Sequence, residues 1–167
     1  MPDVSRRTLL VTVAATTAGC ADATRSPDAR AAETHVRERI NELRAERGVG
    51  ALSSTPPLVD AARAHCRDMH RRDFYAHTNP DGEGPSARAP CRAAETIHRG
   101  ELGRMQNVDG ETVWHTSDTA DLAGYVAEGW RLSDGHREVM LDPTYGATGI
   151  GIVIEDRAFF ATALFCR

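Results

Sequence analysis

The chain has 167 residues, of which 41% are hydrophobic, and a formal net charge of −4 at pH 7. This length is enough for one domain with a single hydrophobic core. The 20 basic residues are outnumbered by 24 acidic ones, and the sequence has neither a basic patch nor an aromatic stacking surface. We therefore expect one domain that does not bind nucleic acid.

The first twenty residues have the features of an export signal. Arg6 and Arg7 form a twin-arginine pair, an apolar run follows at 9–15, and small residues lead to Gly19 and Cys20. A transmembrane helix needs ~20 apolar residues, so this run is too short to span a bilayer. We predict a twin-arginine lipoprotein signal peptide at 1–20, with Cys20 as the lipid-bearing residue. The alternative is a frayed N-terminus with an incidental cysteine.

Residues 21–32 are polar and have no apolar period, which predicts a flexible tether. The folded domain is then expected at 33–167. A lipid on Cys20 places this domain outside the cell, anchored to the outer face of the cytoplasmic membrane.

Apolar periodicity predicts four helical segments. The first is expected over 33–47, where apolar residues recur at helical spacing. Thr55, followed by two prolines, marks the start of a second helix that ends near Arg72. A third helix is predicted over 118–130 and a short helical segment over 134–141.

Three segments have the character of strands. The stretch 94–97 predicts a short strand, and 147–155 and 158–165 predict a hairpin around a tight turn. The polar region 100–117 is interpreted as a surface insertion. This order of elements predicts an α+β fold, a three-layer α-β-α sandwich with a mainly antiparallel central sheet.

The cysteine count leaves an odd thiol in the exported domain. Once Cys20 is assigned to lipid, Cys66, Cys91 and Cys166 remain. We predict a disulfide between Cys91 and Cys166, which ties the last strand to the segment before 94–97. Cys66 lies on the apolar stripe of the second helix and is interpreted as a buried small hydrophobe. The alternative is three free thiols in the core.

Three short motifs occur in a distinctive order: FYAHTNPDG at 74–82, AAETI at 93–97 and WRLSDGHREVM at 130–140. Together with the C-terminal strand pair they resemble the CAP superfamily of cysteine-rich secretory proteins, antigen 5 and pathogenesis-related proteins, in its prokaryotic form. The resemblance covers roughly 34–167. It implies the α-β-α sandwich with an SCP-like arrangement of helices around the sheet.

The resemblance also implies a cleft that brings His77, Glu95 and His136 together. Imidazole and carboxylate groups are good ligands for a divalent metal such as zinc. In the family the cleft holds a second acid, and Ser133 stands at that place here. We therefore include His77, Glu95, Ser133 and His136 as candidate cleft residues, with His77, Glu95 and His136 as candidate metal ligands.

Structural roles remain open for each of these residues. His77 can bond backbone in a turn, His136 can cap a helix, and Glu95 can accept backbone N–H bonds. Five other histidines match no motif and are interpreted as surface or packing residues: His35, His65, His70, His98 and His115.

The favoured function is an exported binding module that takes a metal, a small molecule, a lipid or a surface protein in this cleft. One alternative is a metal-assisted hydrolase, with Glu95 as base. The sequence has neither an HExxH helix nor a G-x-S-x-G elbow, so a non-enzymatic role is favoured. Another alternative is a structural envelope protein with a vestigial cleft. No catalytic residue is assigned.

Overall fold

The computed structural model describes residues 26–106 and 113–167. The predicted signal peptide at 1–20, with its lipidation at Cys20, lies outside these ranges. The elements, in chain order, are α1 (Ala29–Glu46), β1 (Ser53–Ser54), α2 (Pro56–Arg71), α3 (Pro85–Arg88), β2 (Ala94–Glu101), β3 (Arg104–Gln106), β4 (Val113–His115), α4 (Thr119–Leu132), α5 (Asp134–Leu141), β5 (Ala147–Glu155) and β6 (Ala158–Cys166). Among the helices described, none is both long and apolar enough to cross a membrane.

Helix α1 begins inside the segment predicted as a tether. Asp28 is its N-cap, and the Asp28 carboxylate accepts hydrogen bonds from the backbone N–H groups of Arg30 and Ala31. The Asp28 N–H donates to the Thr119 hydroxyl at 2.9 Å, which joins this start to the start of α4. The aspartate cap thus starts α1 at Ala29, ahead of the start at 33 that the apolar spacing predicted.

The four-stranded sheet has the order β1-β5-β6-β2. The pairs β5–β6 and β6–β2 are antiparallel, and the short β1 runs parallel to β5. This confirms the predicted α+β sandwich with a mainly antiparallel sheet. Strand β2 continues to Glu101, and β3 pairs with β4 in a separate two-stranded sheet, so the described parts of 100–117, which were predicted as a surface insertion, contain strands.

Alternate residues of β6 face opposite helical layers. Phe159 and Phe165 belong to a buried cluster with residues of α1 and α4. Leu164 instead packs with Leu58 and Ala62 of α2. Since side chains of a strand alternate between faces, an almost wholly apolar β6 is the expected strand for the middle of a sandwich.

Helix α2 lies directly on the backbone of β5. A methyl group at Gly149 would come within 2.1 Å of the Leu58 carbonyl carbon, and one at Gly151 within 2.3 Å of the Arg63 nitrogen. Only glycine permits this approach, because any side chain at these positions would overlap the backbone of α2. The close contact fixes α2, and with it the loop that follows α2 into the first motif.

Buried Arg44 connects α1 to the segments that follow α1 and α5. Its guanidinium donates to the carbonyl oxygens of Gly50 at 2.7 Å, Met140 at 2.7 Å and Tyr145 at 2.8 Å. Burial lowers the pKa of Arg44, although the carboxylate of Asp142 opposes this shift. The arginine thus joins α1 to the C-terminal end of α5.

Candidate functional site

Glu95 is a buried carboxylate at the start of β2. Its side chain is 0% exposed, and its Oε2 accepts a hydrogen bond from Arg88 at 2.8 Å. Its Oε1 lies 3.0 Å from Nδ1 of His77. Both carboxylate oxygens are therefore committed to neighbouring side chains, as a buried charge requires.

Arg88, which the sequence analysis did not select, organises the loop between α2 and β2. It lies in α3 and donates to the backbone carbonyls of Glu83 at 2.6 Å and His77 at 2.8 Å as well as to Glu95. Its side chain is 10% exposed. A single arginine in a polar loop has no sequence pattern that identifies it, because its partners are brought together only by the tertiary fold.

His77 lies in the loop after α2, as expected, with its side chain 49% exposed. Because Glu95 Oε1 can only accept while it is ionised, Nδ1 of His77 carries the proton of this hydrogen bond. In the neutral ring, the second nitrogen, Nε2, then carries the lone pair. A carboxylate that fixes the tautomer of a histidine is the usual support of a metal-binding imidazole.

His65 of α2 lies beneath this pair. The ring is buried, with Nε2 3.0 Å from the Ala76 carbonyl oxygen and 3.8 Å from Glu95 Oε1. Burial is the main cause that lowers the pKa of His65, and the opposing effect of Glu95 is smaller. The sequence predicts a packing or surface role for His65, and its burial supports the packing role.

His136 lies in α5, a helix that contacts β2. Trp130 at the end of α4 is fully buried, and its indole N–H donates to the Ile97 carbonyl oxygen at 3.1 Å, which docks this helical layer against β2. Burial is the main cause that lowers the pKa of His136, and a smaller electrostatic effect of His77 acts in the same direction. His77 therefore lies within electrostatic range of His136. Nδ1 of His136 is buried and has no hydrogen-bond partner within the described part of the chain.

His98 is a further histidine close to His136. Its ring packs near Tyr125 and Phe159, and a methyl group on Gly129 would come within 2.9 Å of it. Burial, with a smaller effect from His136, lowers the pKa of His98 to about 4. His98 is therefore a neutral packing residue at physiological pH, consistent with the sequence interpretation.

Ser133 lies at the junction of α4 and α5. It is the N-cap residue of α5, but its side chain makes no capping hydrogen bond. Ser133 is partly buried, and Glu138, the nearby acid, is exposed. The serine supplies no carboxylate where the family pattern has a second acid.

The predicted three-ligand metal set is not assembled. Over residues 26–106 and 113–167, no group of three or more His, Cys, Asp or Glu side chains is arranged to hold a metal ion. Both Glu95 oxygens are instead hydrogen-bonded, to His77 and to Arg88. We use the term imidazole site for the remaining arrangement: His77 and His136, with Glu95 behind His77.

A disulfide joins Cys91 to Cys166, the pair that the sequence predicted, with 6.1 Å between the two Cα atoms. It links the loop before β2 to the end of β6. Cys66 is buried and free, and burial raises its pKa to about 12. Its thiol donates to the carbonyl of Gly151 at 3.3 Å.

The sequence model of the cysteine-rich secretory protein family matches residues 37–166, and the chain therefore belongs to this family, the CAP superfamily. The chain is 23% identical over 128 residues to the uncharacterized membrane protein YlbC of Bacillus subtilis, an alignment that covers 77% of this chain and 32% of that protein. The chain thus spans about a third of the length of this curated relative.

Solved structures share the fold. An extracellular protein containing an SCP domain from Bacillus anthracis aligns with a TM-score of 0.62 at 21% identity, over 83% of this chain and 41% of that one. The structure of NaASP2 with Zn²⁺ aligns with a TM-score of 0.57 at 13% identity, over 88% of this chain and 83% of that one. At these identities the likeness establishes the common fold alone.

Proposed function

We propose that this protein is an exported, lipid-anchored binding module that holds a divalent metal such as zinc through His77 and His136. The observation that carries this proposal is the hydrogen bond from His77 Nδ1 to Glu95 Oε1, which leaves Nε2 as an oriented ligand nitrogen. The lowered pKa of His136 keeps the second imidazole neutral near pH 7, the form that binds metal.

The donor set fits a metal held by two imidazoles and water. Glu95 acts behind His77 as an orienting carboxylate and is not itself a ligand, because Arg88 and His77 occupy its oxygens. The same occupation disfavours Glu95 as the general base of a hydrolase. The zinc of NaASP2 supports the proposal by similarity of fold. A bound ion would offer its open positions to a small molecule, a lipid or a surface-protein ligand.

Isothermal titration with zinc tests the imidazole site. The full chain with Cys20→Ala, which cannot be lipidated, is titrated beside the same chain carrying His77→Ala or His136→Ala. The expected result is a single site that is lost in both variants. His35 is an exposed histidine of α1, and His35→Ala should bind as the parent does. An identical isotherm for all four proteins, or no heat in any, contradicts the metal site and leaves a structural envelope role.

The proposed extracellular placement has separate support, and the proposed lipid anchor is tested by labelling. The Cys91–Cys166 disulfide is typical of an oxidising compartment, and the Bacillus anthracis relative is described as extracellular. Metabolic labelling with palmitate in a bacterial host is expected to mark the protein and to fail with Cys20→Ala. Equal labelling of both forms, or none in either, contradicts the lipid anchor. Paired Arg6→Lys and Arg7→Lys substitutions should block export.

A further inference from the structure

A groove lined by three arginines lies between α1, β1 and α2. It has a volume of about 240 Å³, and we call it the arginine groove. The lining residues used below are Arg30, Glu33, Arg37, Ser54 and Arg63. The three arginines come from two helices, so no basic run in the sequence marks them. The side chains of the imidazole site are not part of this lining.

Glu33 is the acid among the described lining residues, and it is already engaged. Its side chain is 7% exposed. Its Oε1 accepts hydrogen bonds from Nε of Arg63 at 2.7 Å and from the Ile152 N–H at 3.0 Å, and its Oε2 accepts from Nη2 of Arg63. One carboxylate therefore compensates one of three guanidinium groups, and the described lining keeps two positive charges in excess.

The arginine groove presents donors that a ligand can reach. Arg30 is exposed and Arg37 is half-buried, and neither side chain donates a hydrogen bond or forms an ion pair within the described ranges. The Arg63 side chain is 22% exposed, and its third nitrogen, Nη1, is not used by Glu33. Exposed Ser54 adds a hydroxyl group. All of these groups can therefore contact a ligand without any rearrangement of the core.

Two further acids on the same helices lie outside the lining. The Asp28 carboxylate accepts from the backbone N–H groups at the start of α1. The hydrogen bond to Glu33 is the main cause that raises the pKa of Arg63, and the charge of Asp60 adds a smaller effect. Among the residues described, neither Asp28 nor Asp60 forms an ion pair with a lining arginine. They moderate the positive potential around the groove but place no carboxylate inside it.

These features select a small anion with several oxygens. A guanidinium group matches phosphate and carboxylate oxygens through paired N–H donors. Three guanidinium groups with available donors favour a terminal phosphate, which has three acceptor oxygens and a charge of about −1.5 to −2 at pH 7, over a singly charged carboxylate. The groove is smaller than the ~300–1,000 Å³ of sites that enclose a whole drug-sized molecule, so it suits a single phosphate group.

We propose that the arginine groove binds a terminal phosphate group, with Arg30, Arg37, Nη1 of Arg63 and the Ser54 hydroxyl donating to its oxygens. Either a free phosphate compound or a membrane-lipid headgroup can present this group. The lipid source rests on the proposed anchor at Cys20. Residues 21–28 separate that anchor from α1, and a chain of this length spans at most about 30 Å. The groove would then remain close to the bilayer.

Nuclear magnetic resonance titration tests the site. The ¹⁵N-labelled full chain with Cys20→Ala is titrated with inorganic phosphate, and separately with acetate, in a zinc-free buffer at constant ionic strength. We expect saturable shifts with phosphate in the amides of 30–37 and 54–63 and a much weaker response to acetate. The net charge of the chain is −4, so general attraction of anions does not explain such a result. An equal response to acetate overturns the proposal.

Arg30→Gln and Arg37→Gln locate the binding, because each removes a guanidinium group and leaves the pair of Arg63 with Glu33 intact. The matched control is Arg39→Gln, at an exposed position of α1 outside the lining. We expect at least a tenfold loss of phosphate affinity in each groove variant and none in the control. Unchanged affinity in both groove variants overturns the proposal. His77→Ala and His136→Ala should bind phosphate as the parent does, which separates this result from the zinc test.

Sedimentation with vesicles distinguishes the two sources of phosphate. The same protein is mixed with phosphatidylcholine vesicles that contain or lack phosphatidic acid, whose headgroup is a terminal phosphate. Sedimentation that requires phosphatidic acid and is lost in Arg30→Gln and Arg37→Gln supports a lipid headgroup. Saturable phosphate shifts without sedimentation support a free phosphate compound. Neither shifts nor sedimentation, or sedimentation that persists in both groove variants without phosphate shifts, overturns the proposal.

Discussion

His77 and His136 bring the same ring to the imidazole site, but the two rings are held differently. His77 is half exposed and oriented by a hydrogen bond to buried Glu95, which Arg88 holds in turn. His136 is positioned by the docking of α4 and α5, and its buried Nδ1 has no partner in the described part of the chain. The two histidines are thus held by different means: a charged hydrogen-bond network holds His77, and helix packing holds His136.

The largest expected loss of stability comes from breaking the charged network of His77, Glu95 and Arg88. Glu95→Ala leaves Arg88 buried without its carboxylate, and removal of one partner of a buried pair costs about 3–5 kcal/mol of unfolding free energy. Urea denaturation followed by circular dichroism measures this loss. The matched control is the exposed Glu38→Ala on α1, expected to change stability by less than ~0.5 kcal/mol. Equal effects of the two variants would show that the network contributes nothing.

Removal of the disulfide should have the next largest effect. It ties the loop before β2, and so the start of β2 that carries Glu95, to the end of β6. Cys91→Ser with Cys166→Ser is expected to lower the unfolding free energy by about 2–4 kcal/mol. Thermal denaturation with and without reductant measures it, and Cys66→Ser serves as the variant that retains the bridge. A reductant effect that persists in the double variant contradicts this assignment.

We expect acid to destabilise the folded protein through His98. Burial lowers the folded-state pKa of His98 to about 4 from 6.5, so the unfolded chain binds a proton first as the pH falls. Stability is therefore fully present above pH 6.5 and is lost as the pH falls towards 4, by about 2 kcal/mol between pH 7 and pH 4.5. His65 and His136 shift in the same direction. His98→Gln should flatten the profile of urea stability against pH, and an unchanged slope contradicts this account.

The smallest effect is expected for His136→Ala. Since Nδ1 of His136 has no described partner, truncation removes packing but no hydrogen bond at that atom, and the unfolding free energy should change by less than ~1 kcal/mol. Urea denaturation measures the change. A loss as large as that of Glu95→Ala would contradict this account, because it would mean that His136 is also held by a hydrogen-bonded network.

The sequence predicted the parts of the fold that depend on periodicity. Helices α2 and α4 and the β5–β6 hairpin lie where the apolar patterns placed them. Strand β2 was predicted too short, because it lies at the end of the strand order and its residues after Ile97 are mostly polar. An edge strand has one ladder to satisfy and no need of a continuous apolar run.

The site was predictable only where a motif marks it. The motifs identified His77, Glu95 and His136, but neither Arg88 nor His65. Both of these residues contact Glu95 in the fold, Arg88 from 7 positions away in sequence and His65 from 30 positions away. The assignment of Glu95 as a metal ligand followed from its residue type. Its role as an orienting acid became visible only when both of its oxygens were seen to be occupied.

The most direct measurement of the central claim is a crystal structure of the zinc-soaked protein near pH 7. We predict zinc at about 2.0–2.1 Å from one nitrogen each of His77 and His136, with water oxygens completing the shell. The Glu95 carboxylate should remain hydrogen-bonded to His77 and Arg88. Zinc bound directly to Glu95, or bound elsewhere with the two imidazoles free, would contradict the account.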